Sequence, residues 1–97
     1  MNIPFPRHYK LALAQGLKTI TIRTHNEISK YKLNRTYRAT SYKNEDWGLD
    51  LKIIEIIPTY IKDLGNYGIP QQSINALSKD NKTTPNTRVE IIKFRVG

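Results

Sequence analysis

The sequence predicts a small α+β domain in which short helices flank a mostly antiparallel sheet, curled or closed into a barrel. The chain has 97 residues, which is enough for one hydrophobic core. Its apolar pattern indicates the order helix, strand, strand, long strand, helix, strand, with short connections. This order contains too little helix for repeated βαβ units, so we expect antiparallel pairing within a single domain over 1–97.

The first helix and strand are marked by prolines and a glycine. Residues 3–6 are extended by two prolines, the second of which suits the start of a helix over 7–15. Gly16 is a suitable stop for that helix. Residues 17–23 then alternate apolar and polar side chains, which predicts a half-buried strand. Residues 24–35 are polar, and we expect a long loop there.

The rest of the chain is divided by turn residues into further elements. We expect strands over 36–42, 48–57 and 87–96, a helical turn over 60–64, a loop over 65–68, a helix over 71–78 and a polar, turn-rich stretch over 79–86. The strand over 48–57 is the most apolar segment, and Pro58 is expected to end it.

Positive charge is concentrated in the first half of the chain. Residues 1–43 contain nine Lys and Arg against one acid, Glu27, whereas residues 44–97 contain seven basic and seven acidic residues. Charge of one sign attracts anionic partners, so nucleic acid is a candidate, and a basic surface that favours solubility is the alternative. The aromatic side chains that can stack on unpaired bases are Tyr31, Tyr37, Tyr42, Trp47 and Tyr67.

The composition excludes several kinds of protein. The chain has no cysteine and two histidines, which rules out a disulfide scaffold, a thiolate zinc site, a cysteine nucleophile and an all-histidine metal site within one chain. We therefore expect no metal and no cofactor. No stretch approaches the ~18 apolar residues of a membrane span, and the first residues lack the layout of a signal peptide. We expect a soluble, cytoplasmic monomer that does not contact membranes.

Residues 16–23 carry the most informative pattern. They read Gly-Leu-Lys-Thr-Ile-Thr-Ile-Arg, a helix stop followed directly by a strand. Because side chains alternate along a strand, Thr19, Thr21 and Arg23 share one face while two isoleucines face the core. With Lys18 just before them, these groups can meet an anion, a carbonyl or a base edge. An ordinary amphipathic strand with a solvated polar face would show the same alternation and is the alternative.

A helix that ends in glycine and is followed by Lys-Thr-x-Thr-x-Arg resembles the signature of the ASCH domain, a family of PUA-like β-barrels. The expected elements agree with this family in order and length over nearly the whole chain. The resemblance implies a PUA-like barrel that binds RNA or a modified nucleoside in a cleft beside strand 18–23. The residues that we expect to contribute to binding are Lys18, Thr19, Thr21, Arg23, Arg35, Arg38 and Tyr67.

A small bacterial branch of this family, the acetylcytidine amidohydrolases, is similar to this chain at the motif. The resemblance implies Lys18 as catalytic base and Thr21 as nucleophile on an N4-acylated cytidine. That branch also uses a glutamate that precedes a glycine ahead of the second helix, and this chain has Tyr67 before Gly68 at that place. A carboxylate suited to orient water or shuttle a proton is therefore missing, which favours binding over hydrolysis.

Catalysis would need two adjustments in this chain. An unperturbed lysine has a pKa of about 10.4, so a base at position 18 requires burial or a neighbouring cation, for which Arg23 is nearest in sequence. Asp63 or Glu55 would also have to replace the missing carboxylate. A third hypothesis is a small interaction or inhibitor protein that reuses the barrel and docks its basic first half on an acidic protein.

Overall fold

Five strands form one sheet in the computed structural model, which describes residues 1–79 and 82–97. The strands are β1 Asn2–Phe5, β2 Ile20–Thr24, β3 Thr36–Ser41, β4 Asp46–Tyr60 and β5 Arg88–Val96. Their spatial order is β1-β3-β4-β5-β2. The β1–β3 pair is parallel and the other three pairs are antiparallel. The predicted α+β class with a mostly antiparallel sheet is confirmed.

Short helices flank this sheet. The α-helices are α1 Lys10–Ala14 and α2 Gln71–Ser78, and 3₁₀ helices cover Arg7–Tyr9, His25–Glu27 and Ile61–Tyr67. The helix predicted over 7–15 thus begins as a 3₁₀ turn, and the helix predicted over 71–78 is confirmed. Within residues 1–79 and 82–97, no helix has both the length and the apolar character needed to cross a membrane.

Near the prolines, one strand was not predicted and another is longer than predicted. The extended segment predicted over 3–6 belongs to β1, which pairs with β3 and buries Ile3 and Phe5. The long strand does not end at Pro58 but continues to Tyr60. The pairing of β3 with β4 ends at Lys52, so the proline lies where β4 has a single partner strand, and its missing N–H is tolerated there.

Two loop predictions also need correction. The loop expected over 65–68 is largely the end of a 3₁₀ helix, which stops at Gly68 with a left-handed φ of 76°. The long loop expected over 24–35 begins as the 3₁₀ turn that follows β2. The polar stretch expected over 79–86 includes residues 80 and 81, which lie outside the described residues.

The hydrophobic core has two parts, because successive side chains of β5 point to opposite faces of the sheet. On one face, Ile92 and Phe94 join the larger cluster, which includes Ile3 and Phe5 from β1. On the other face, Val89 and Ile91 pack against the 3₁₀ helix over 61–67. The second cluster also receives the isoleucines of β2 and one side of α2.

A side chain connects the two edge strands of the sheet. Arg23 in β2 donates a hydrogen bond from Nη2 to the carbonyl oxygen of Pro4 in β1, over 2.8 Å. Its guanidinium carbon also lies 5.0 Å from the centre of the Phe5 ring. Since β1 and β2 lie at opposite ends of the strand order, these contacts require a sheet that curls until its edges approach each other.

Candidate binding cleft

A cleft of about 700 Å³ opens beside β2, at the gap between the two edge strands. Residues 17–23 form one wall. The other walls come from the end of β1, from Tyr9 and Ala12 of the first helical segment, from Tyr42, and from residues 68–77. Clefts of this size commonly hold small-molecule ligands. The described residues that line the cleft include Lys18, Thr19, Thr21 and Arg23 but no Asp or Glu.

Lys18 is held against the wall of the cleft by two contacts. Its Nζ donates a hydrogen bond to the carbonyl oxygen of Ile20 over 2.9 Å and lies 4.3 Å from the centre of the Tyr9 ring. Burial, followed by the charge of Arg23, lowers the pKa of Lys18 below its ordinary value. An ammonium has three N–H donors, so two remain for a ligand after the bond to Ile20.

The main chain of β2 presents polar groups to the cleft because β2 is an edge strand. Phe94 N donates to Thr19 O over 2.9 Å, so Thr19 and every second residue after it direct their main-chain groups to β5. Ile20 and Ile22 therefore direct theirs away from β5, and the bond from Lys18 to the Ile20 carbonyl agrees with this alternation. The strand thus offers main-chain donors and acceptors beside the side-chain groups.

Thr19 and Thr21 add hydroxyl groups to the same wall. Thr21 lies opposite Ile92 of β5 and is half-buried, whereas Thr19 is exposed at the entry to the strand. Within residues 1–79 and 82–97, neither hydroxyl has a hydrogen-bond partner. Both can therefore meet a ligand.

Arg23 is more deeply buried than a solvated strand face would allow, with an exposed fraction of 5%. Besides its bond to Pro4, its guanidinium carbon lies 5.0 Å from the Phe5 ring centre and 5.7 Å from the Tyr31 ring centre. Its Nε is buried without a hydrogen-bond partner. No carboxylate of the described residues forms an ion pair with it. The charge is therefore stabilised by a carbonyl and two rings.

Three predicted binding residues lie outside this cleft. Arg35 is exposed on the segment that precedes β3. Arg38 is engaged elsewhere, with Nε 3.0 Å from Asp46 and Nη1 3.1 Å from Asp50. Tyr67 immediately precedes a residue that lines the cleft but does not line it itself.

The acids considered as replacements for the missing glutamate also lie elsewhere. Glu55 forms an ion pair with Lys93 at 3.1 Å. Asp63 lies in the 3₁₀ helix over 61–67 and does not line the cleft. Among the described residues there is also no group of three His, Asp or Glu side chains that could hold a metal.

The aromatic residues divide into core and cleft. Tyr31, with an exposed fraction of 1%, packs edge-on against Tyr37 in the core, so neither ring is accessible to a base. Trp47 also packs against the core. Tyr42 is 62% exposed and lines the cleft. Tyr9, which lines the cleft, was not predicted as a site residue. The signal for it is Gly16, because a helix that reverses there into strand 17–23 brings one of its faces back to that strand.

Two solved structures share this architecture. The crystal structure of a protein from Enterococcus faecalis V583, described with the family model DUF984, aligns with a TM-score of 0.66 and 11% identity, over 93% of this chain and 67% of that protein. The crystal structure of an ASCH domain from Lactobacillus crispatus JV V101 aligns with a TM-score of 0.61 and 10% identity, over 90% of this chain and 69% of that domain. The chain has the ASCH-domain fold.

The similarity to the ASCH domain is one of structure. A scan against protein-family models and a search of curated proteins found no significant match. Identities of 10% and 11% establish the fold alone. The ASCH fold inferred from residues 16–23 is therefore confirmed, and the similarity to the acetylcytidine branch stays a prediction.

Proposed function

We propose that the cleft of this ASCH fold binds an unpaired nucleotide of RNA or a modified nucleoside. The observation that carries the proposal is the meeting of two cations, two threonine hydroxyls and the exposed ring of Tyr42 in one cleft whose described lining residues include no carboxylate. Sequence-specific RNA recognition generally targets unpaired bases, which are stacked on aromatic rings and hydrogen-bonded along their edges. The cleft offers groups for each of these contacts.

The parts of a nucleotide match different parts of the cleft. Tyr42, exposed at the cleft, provides a ring on which a base can stack. The Tyr9 ring is half-buried and lies under the Lys18 ammonium, so its contribution is to hold that ammonium. The outward main-chain groups of Ile22 and the hydroxyl of Thr21 provide donors and acceptors for a base edge or a ribose. Lys18 provides two unused N–H donors.

Cations without ion pairs, two of which line the cleft, supply a reason to prefer a charged polymer as the ligand. Of the nine basic residues in 1–43, Arg7, Lys30 and Arg38 form ion pairs with acidic residues. The remaining six have no ion pair within the described part of the chain: Lys10, Lys18, Arg23, Lys32, Arg35 and Lys43. Cations without partners attract the phosphate backbone of RNA.

Binding of a fluorescently labelled single-stranded RNA tests the proposal. Fluorescence anisotropy should show weaker binding to Lys18→Gln than to the wild type. Arg88→Gln is the matched control, because Arg88 is exposed and does not line the cleft. The proposal is wrong if the RNA binds no better than a peptide nucleic acid of the same sequence, which carries no backbone charge, and if Lys18→Gln changes nothing.

Amide hydrolysis is a second candidate function, favoured by one observation. Lys18 and Thr21 line the same cleft, and burial together with Arg23 lowers the pKa of Lys18 in the direction that a base requires. Lys18 would take the hydroxyl proton as the Thr21 oxygen attacks the carbonyl of an N4-acylated cytidine, and would return it to the departing N4. Water would then hydrolyse the acyl ester on Thr21.

Incubation with N4-acetylcytidine separates the two functions. Release of cytidine by the wild type, abolished by both Lys18→Ala and Thr21→Ala, would establish hydrolysis. Because no described lining residue is a carboxylate, we expect binding without efficient turnover.

A further inference from the structure

We infer that the part of the cleft lined by Lys18 and Arg23 is an anion site that takes a phosphate group. The ligand is then a nucleotide, either free or within RNA, in preference to a neutral nucleoside. This inference rests on the proposed function and narrows its ligand class.

The first argument is the uncompensated charge of Arg23. Only 5% of the residue is exposed, and its Nε is buried without a hydrogen-bond partner. Buried cations are ordinarily paired, because removing a charge from water costs several kcal/mol. Here the partners are a main-chain carbonyl and two rings. Glu27 interacts with the Tyr31 ring but forms its ion pair with Lys30, so an anion in the cleft would add a direct counter-charge to the guanidinium.

The second argument is the presence of Lys18 in the same cleft. Lys18 and Arg23 are close enough that the charge of Arg23 disfavours protonation of the lysine. Two like charges that face one cleft raise each other's free energy, and an anion between them lowers it. A phosphate is also matched to the donors, because charge-assisted bonds from a guanidinium and an ammonium are the strongest hydrogen bonds available to its oxygens.

A purely structural role for Arg23 is the competing explanation. The bond to Pro4 connects the edge strands whether or not a ligand binds. A structural arginine would not make the protein distinguish a nucleotide from the corresponding nucleoside. The comparison of these two ligands therefore decides between the explanations.

Isothermal titration calorimetry at low ionic strength provides the test. Adenosine, cytidine, guanosine and uridine are each compared with their 5′-monophosphates, and labelled RNA is tested in parallel. At least one monophosphate should bind about tenfold or more tightly than its nucleoside. Lys18→Gln should reduce that preference, whereas Arg88→Gln should leave it unchanged. Arg23→Gln should also reduce that preference, and it is compared once circular dichroism shows that this variant folds.

The outcomes separate this inference from the proposed function. Equal affinity for nucleoside and monophosphate overturns the anion site and leaves nucleoside binding intact. Binding of RNA without measurable binding of any monophosphate at millimolar concentration also overturns it, because the site would have to hold the mononucleotide. If neither RNA nor any nucleoside or nucleotide binds, the proposed function itself fails.

Discussion

The affinity of this protein for single-stranded RNA should fall as the salt concentration rises. The steepness of this fall should be proportional to the number of cations in contact with phosphates. Each neutralised phosphate of a single strand contributes about −0.7 to the slope of log K against log salt. Two contacts, from Lys18 and Arg23, give a slope of about −1.4. All six unpaired cations of residues 1–43 give about −4.2.

These slopes correspond to distinguishable losses of affinity. An increase from 50 to 200 mM salt is fourfold, so two contacts reduce the association constant about sevenfold and six contacts reduce it about 300-fold. The first value would place the RNA in the cleft alone. The second would extend the interface to Arg35 and its neighbours, which lie outside the cleft.

Anisotropy titrations of one labelled RNA at four salt concentrations measure the slope directly. Lys18→Gln removes one contact and should make the slope less steep by about 0.7, and the exposed Arg88 serves again as control through Arg88→Gln. A slope near zero for the wild type would refute electrostatic binding. An unchanged slope for Lys18→Gln would refute a role for this ammonium at a phosphate.

Three further predictions concern stability. The lowered pKa of Lys18 means that its protonated form destabilises the fold, so the wild type should gain stability relative to Lys18→Met as pH rises toward 10.5. Denaturant unfolding of both proteins at pH 7 and pH 10 measures this change, and an unchanged difference would contradict it. Gly68→Ala should lower the free energy of unfolding by about 1 kcal/mol and the Tm by about 5 °C, because alanine is strained at a φ of 76°. The loss should not be larger, because an added Cβ meets no atom within 4 Å. A loss of more than about 3 kcal/mol would disprove the open surroundings of this position. Tyr37→Phe leaves the Lys32 N–H without its acceptor and should cost about 1 kcal/mol in thermal unfolding, with RNA affinity retained. No loss of stability would show that water replaces the hydroxyl.

Local patterns were sufficient to predict much of this fold. Alternation over 17–23, the stop at Gly16 and the helical spacing over 71–78 each depend on neighbouring residues, and the corresponding elements are found. The end of β4 was not predictable from Pro58, because a proline is tolerated in a strand only where no second strand pairs, and the point at which β3 stops pairing is a tertiary property. The strand β1 was not predicted for a related reason, since four residues that include a proline pair as a strand only beside β3.

Several residues of the candidate site were predictable from the sequence, but their burial and packing were not. Strand periodicity was enough to place Thr21 and Arg23 on one face, and both line the cleft with Lys18. The burial of Arg23 depends on the approach of β1 from the other end of the sheet, which no local pattern encodes. The contact of Tyr9 with Lys18 likewise depends on how the first helix packs against strand β2.

The sheet is continuous from β1 to β2 through three intervening strands, yet side chains rather than a main-chain ladder join its two ends in the described part of the chain. Phe5 of β1 also packs against Phe94 of β5, with 5.9 Å between the ring centres, so the seam is closed by buried side chains. A substitution at Arg23 or Phe5 would loosen this seam while all four strand pairings remain intact.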